Sequence, residues 1–81
     1  MTKLPIPGVT YDIFITAFMK DSVQAFIKKN ELRQGQAFFN FLNTYNHDLA
    51  NKIRGTEFDP YYSEDVTPTV HNYIVENWTI N

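Results

Sequence analysis

With no cysteine to cross-link it, this chain must be held together by what it buries, and seven Phe, five Tyr and one Trp set the terms of that burial. Each ring removes roughly 150–250 Å² from water. The 81 residues therefore suffice for one dense core and are too few to divide between two. The expectation is a single domain over residues 1–81. The rings concentrate in LRQGQAFFNFLN and EFDPYY, within a stretch from Arg33 to Tyr62 that also carries Arg, Gln, Asn and Asp. Polar groups set among that many rings need partners, either inside the fold or on something it binds.

The missing cysteines also remove disulfides and thiolate metal sites, which fits a reducing compartment. No apolar run approaches the ~20 residues that span a bilayer. The opening MTKLPIP is too short in apolar residues for a signal sequence, so the expectation is a soluble, cytoplasmic protein that does not engage a membrane. Seven Lys and Arg against nine Asp and Glu leave a formal charge of −2. That is far from the basic balance that counterion release rewards, and it makes nucleic acid an unfavoured partner. Lys28, Lys29 and Arg33 lie close in sequence, whereas Glu57, Asp59, Glu64 and Asp65 form a later acidic stretch. Two solvated faces are the first reading of this unevenness, and a weak dipolar docking surface the second.

The spacing predicts an all-α or mostly α bundle of about four short helices, residues 10–81, behind an extended arm at residues 1–9. Two prolines and Gly8 keep that arm from being helical. Over Val9 to Phe18 two periods compete. Val9, Tyr11, Ile13 and Ile15 alternate like a strand, while Ile15, Phe18, Met19, Val23, Phe26 and Ile27 recur at helical spacing. Helix is the favoured reading, continuing through Asp21 to Lys29 with Asp21 or Ser22 as cap and Asn30 as its end. Leu32 to Tyr45 reads as the central helix. Gly35 in its first turn costs about 1 kcal/mol relative to Ala, so either another backbone passes close by or the helix starts later. Asn46 caps a short helix ending at Ile53, before Gly55. Asp59-Pro60 turns the chain, and Thr67-Pro68 opens a last helix with the stripe Val70, Tyr73, Ile74 and Trp78. The expected core is Phe18, Phe26, Ile27, Phe38, Phe41, Leu42, Leu49, Ile53, Ile74 and Trp78.

Little in the sequence carries reaction chemistry. His47 and His71 have no second ligand at a recognised metal spacing, and they read as the start of the short helix and the polar flank of the last one. Serines are two, Ser22 and Ser63, with no nucleophile elbow, phosphate-binding glycine loop or dinucleotide fingerprint around them. The expectation is a non-enzymatic protein without metal or cofactor. Arg33, Gln36 and Asn40 fall at i, i+3 and i+7, on a helical face distinct from Phe38, Leu42 and Tyr45. The leading reading has Arg33 or Gln36 tying down the loop from Arg54 to Tyr62, with Asp59 or backbone carbonyls as partners. The alternative is a contact surface made of Arg33, Gln36, Asn40, Arg54, Asp59, Tyr61 and Tyr62. In either case one of the paired tyrosines anchors the loop and the other is available for contact.

The run R-x-G-Q-A-F-F-N-F-L, followed by I-R-G-T-E-x-D-P-Y-Y, resembles a family of small proteins encoded by tailed bacteriophages and some bacteria. The match covers roughly residues 21–62, on Arg33, Gly35, Gln36, Asn40, Arg54, Thr56, Asp59 and Pro60. The resemblance implies a phage accessory product acting in the cytoplasm of an infected bacterium, with no established catalytic role. It favours an interaction protein that occupies and modulates a host or defence protein. Two other functions stay open. One is a self-associating assembly component, a homodimer pairing through the strand-like segment from Val9 to Ile15. The other is weak nucleic-acid binding through Lys28, Lys29, Arg33, Lys52 and Arg54, with stacking tyrosines.

Overall fold

The computed structural model describes residues 10–78, which form five helices and, among the described residues, no strand. They are α1 (Tyr11–Phe18), α2 (Asp21–Lys29), α3 (Gln34–Tyr45), α4 (His47–Ile53) and α5 (Pro68–Asn77). The all-α class holds, with five helices where four were expected. The arm at residues 1–9 and residues 79–81 lie outside the described residues.

Burial decides the competition between periods at the start. Tyr11, Phe14 and Phe18 stand at i, i+3 and i+7, and Phe14 and Phe18 are buried while Ile13, part of the alternating pattern, stays 51% exposed. Thr10 caps the helix, its Oγ1 accepting from the Ile13 amide at 3.2 Å, and Asp12 in the first turn favours the positive end of the helix dipole. Strand pairing from Tyr11 to Ile15 is thereby ruled out for those residues, because they are helical; Val9 is not among the described residues.

The chain breaks helical geometry at Lys20 (φ −58°, ψ 143°), which occupies the N-cap of α2 without a side-chain cap. The expected cap at Asp21 or Ser22 is therefore one position or more too late. Asn30 does end α2, through a Schellman arrangement. The Leu32 amide donates to the Ile27 carbonyl at 3.0 Å and the Glu31 amide to that of Lys28 at 3.2 Å, with Glu31 in the left-handed region at φ 54°.

Helix α3 begins at Gln34, two residues later than Leu32, and no side chain caps it. Its first amides are satisfied from across the fold: Gln34 N–H donates to the Glu64 carbonyl at 3.3 Å and Gly35 N–H to that of Ser63 at 3.2 Å. The Gly35 anomaly thus has a cause, since a Cβ there would collide with the carbonyls of Pro60 and Ser63. Gln24 ties this corner together, donating to the Phe18 carbonyl at 2.9 Å and accepting from Gln34 Nε2 at 2.8 Å.

Helix α3 runs through the middle, packed most extensively on α4 and also against α1, and α2 leans on α1. Asn46 caps α4 as expected, its Oδ1 accepting from the Leu49 amide at 3.3 Å while the residue is only 2% exposed. Thr67 caps α5, with Pro68 in the first turn. The rings of Phe14, Phe38 and Phe18 meet edge to face at 5.3 and 5.4 Å, which is the preferred geometry for aromatic pairs.

Three expectations need correction. Phe26 is not core: it is 61% exposed, because the bend at Lys20 turns α2 so that Ile27 alone is fully buried. Phe41 and Trp78 are only partly buried, packed against the core, whereas Phe14, Phe39 and Val70 are inside it. His71 does not ride a polar flank. Its Nδ1 lies 2.7 Å from the Tyr11 hydroxyl and its ring stands edge-on to Phe38, so it joins α5 to α1 and α3.

Candidate functional site

The segment between α4 and α5 has no regular structure, yet it is densely bonded. Gly55, at φ 76°, stops α4. The Thr56 hydroxyl donates to the Ile53 carbonyl at 2.6 Å and accepts from the Phe58 amide at 3.2 Å. Asp59 then uses both carboxylate oxygens on the backbone, accepting from Gly55 N–H at 2.8 Å and Tyr61 N–H at 2.9 Å. Pro60 is buried, and its carbonyl accepts from the Ser63 amide at 2.8 Å. Phe58 stacks on Tyr73 of α5 at 4.0 Å between centroids, fixing the outer end of the loop.

This loop and one face of α3 enclose a groove of about 500 Å³ lined by Phe39, Asn40, Asn43, Arg54, Gly55, Asp59, Tyr61 and Tyr62. Five of the seven residues singled out in the sequence meet there: Asn40, Arg54, Asp59, Tyr61 and Tyr62. The two tyrosines divide as the pairing predicts. Tyr61 is half-buried, edge-on to Phe39 at 5.8 Å, and Tyr62, 4.9 Å from it, is 83% exposed.

Arg33 and Gln36 do not line the groove. Arg33 stands behind it, its Nη2 3.4 Å from the Tyr61 carbonyl and its Cζ 5.8 Å from the centre of the Tyr62 ring. The sequence reading of Arg33 as a loop staple matches this geometry, with a backbone carbonyl rather than Asp59 as the partner. The distances mark a weak hydrogen bond and a cation–π contact near its outer limit. Gln36 is half-buried and makes no side-chain hydrogen bond among the described residues. Arg54 lies over the Phe39 ring at 5.3 Å and donates to Asn51 Oδ1 at 3.3 Å.

Asn43, Phe39 and Gly55 were missed. Asn43 had a signal, since it continues the Gln36 and Asn40 face by a further i+3 step. Phe39 is outside both the expected core and the residues singled out for contact, yet it packs in the core and also lines the groove.

The groove is thus built from aromatic surfaces, the amides of Asn40 and Asn43, and one exposed guanidinium. Its carboxylate, Asp59, accepts one backbone amide of the loop on each oxygen. Among the described residues no three His, Asp or Glu side chains group so as to hold a metal ion, and no helix is long and apolar enough to cross a membrane. No protein-family model, curated protein or solved structure matches the chain.

Proposed function

We propose that the protein acts by binding another protein, through the groove between α3 and the loop from Arg54 to Tyr62. The observation that carries this reading is Tyr62, a large aromatic side chain 83% exposed beside a groove of about 500 Å³ on a backbone fixed by Asp59. Tyrosine supplies amphipathic contact area with few rotatable bonds, and amides supply adaptable hydrogen bonds. That combination characterises protein-recognition surfaces. Arg54 gives the groove one cation with unused donors, so the partner segment it fits best carries a carboxylate beside an apolar side chain. The sequence pattern around Arg33 and Asp59 supports placing this activity in a bacteriophage accessory protein that modulates a host or defence protein in the bacterial cytoplasm.

The test is capture from bacterial lysate by the tagged protein and its Tyr62→Ala and Arg54→Ala variants, followed by titration of any captured partner. Tyr62→Ala leaves the fold intact, since its ring is outside the core. It is expected to lower affinity by a factor of about 30, the effect of losing a hot spot of about 2 kcal/mol. A partner that binds the wild type and both variants equally would place recognition elsewhere on the molecule.

A further inference from the structure

A second surface lies on the adjoining flank of α3, toward α1 and α2, and meets the groove at Asn40. Helix α2 packs on α1 and meets α3 at the Gln24–Gln34 hydrogen bond, and beside that contact an apolar trough of about 380 Å³ opens between α2 and α3, floored by Phe18, Ile27 and Phe41. Phe26 forms one lip of the trough and is 61% exposed. A Phe so placed loses apolar stabilisation on every face that water reaches.

The charges of α2 indicate what covers it. Asp21 stands in the first turn and Lys28 and Lys29 in the last, with Lys20 immediately before the helix and Glu31 immediately after its cap. All five are exposed, and none enters an ion pair among the described residues. On the outward side of the helix the signs at the two ends are opposite: Asp21 at the start mirrors Lys28 and Lys29 at the end. A sequence of this kind is complementary to itself when two copies lie antiparallel. Each Asp21 then meets Lys28 and Lys29 of the other copy, twice over, as a two-fold axis requires. A parallel arrangement places like charges together throughout.

The outward surface of the helix fits the same operation. Ser22, Ala25 and Lys29 run along it at i, i+3 and i+7, with the exposed Ala25 near the midpoint, where a small side chain lets two helices approach closely. Phe26 sits just to one side of this strip, so antiparallel packing brings both Phe26 rings to the same flank, over the mouths of the two troughs.

We propose that α2 is the contact helix of an antiparallel, two-fold homodimer in which the paired Phe26 side chains close the troughs between α2 and α3. A helix of nine residues covers less than the ~800 Å² per partner of a standard interface, so the dimer is weak and depends on concentration.

Sedimentation velocity across roughly 1 μM to 1 mM spans the range in which so small a contact acts. The wild type is expected to pass from monomer to dimer. Phe26→Ala, at an exposed position, raises the dissociation constant at least tenfold with an unchanged circular dichroism spectrum. The decisive arm uses charge reversal: Asp21→Lys alone and a Lys28→Asp/Lys29→Asp chain alone each remain monomeric, and an equimolar mixture of the two recovers a dimer. A wild type that stays monomeric over the whole range overturns the proposal. So does a mixture that fails to associate, which would leave the trough to a partner of another kind.

Discussion

The carbonyl of Pro60 occupies the space into which any side chain at Gly35 would project, while the neighbouring Ser63 carbonyl accepts the Gly35 amide proton at 3.2 Å. The first turn of the central helix and the loop behind the groove therefore share a backbone contact that only glycine permits.

Gly35→Ala is expected to destabilise the fold by up to about 2 kcal/mol. The alanine gains about 1 kcal/mol in helix propensity, but its methyl group meets main-chain carbonyls that cannot rotate away, and overpacking of this kind costs about 1–3 kcal/mol. Gly55 gives the control. Among the described residues nothing lies within 4 Å of a Cβ there, but its φ is 76°. Gly55→Asn should be nearly neutral, because asparagine tolerates the left-handed region, and Gly35→Asn should be severe. Urea midpoints of the variants distinguish a shortage of space from a backbone requirement.

Tyr11 and His71 predict stability limbs at both ends of the pH scale. Burial lowers the His71 pKa below its ordinary 6.5, against a smaller opposing effect of Asp65. The unfolded chain then binds the proton more readily, so this contribution is complete above about pH 6.5 and is lost as pH falls. Burial raises the Tyr11 pKa above its ordinary 10.0, helped by the charge of Asp12. That contribution is complete below pH 10 and is lost as pH rises. Melting temperatures of the wild type and His71→Gln should diverge near neutrality and converge toward acid. Parallel profiles would show that the imidazole is not the titrating group.

Glu31 holds a left-handed conformation that glycine adopts freely. Glu31→Gly should raise stability by up to about 1 kcal/mol, because relief of Cβ crowding outweighs the glycine's added unfolded-state entropy. A lower denaturation midpoint for the variant would show that the glutamate side chain contributes more to the fold than its strain costs.

Asn46 caps α4 from a buried position, and its Nδ2 has no hydrogen-bond partner among the described residues. Asn46→Ala should cost about 1–2 kcal/mol for the lost cap. Asn46→Ser keeps an acceptor for the Leu49 amide and removes the unpartnered donor, so it should cost less than the alanine despite the smaller volume filled. Equal losses in thermal unfolding would assign the effect to packing instead.

What could be read from the residues alone was what depends on near neighbours. Thr67-Pro68, Asn46 and Asn30 mark helix ends through contacts of four residues or fewer, and each ended or began a helix where the sequence placed it. The loop staple at Arg33 was half legible, since a guanidinium among rings demands an acceptor, but nothing local says that it is the Tyr61 carbonyl. Phe26 was misread because helical spacing groups it with Ile27 and cannot show that a bend at Lys20 rotates the stripe outward. His71 was misread because its partner, Tyr11, is 60 residues away. The groove was visible as a set of residue types, and its shape depended on Gly35 admitting the loop.

Trp78 is the sole indole of the chain and stands 5.2 Å from Phe14 and 6.0 Å from Tyr11. Its emission is therefore a built-in optical gauge of the seam between the first and last helices. Energy transfer from tyrosine and the wavelength of that emission should report, without any attached dye, the moment at which this seam opens.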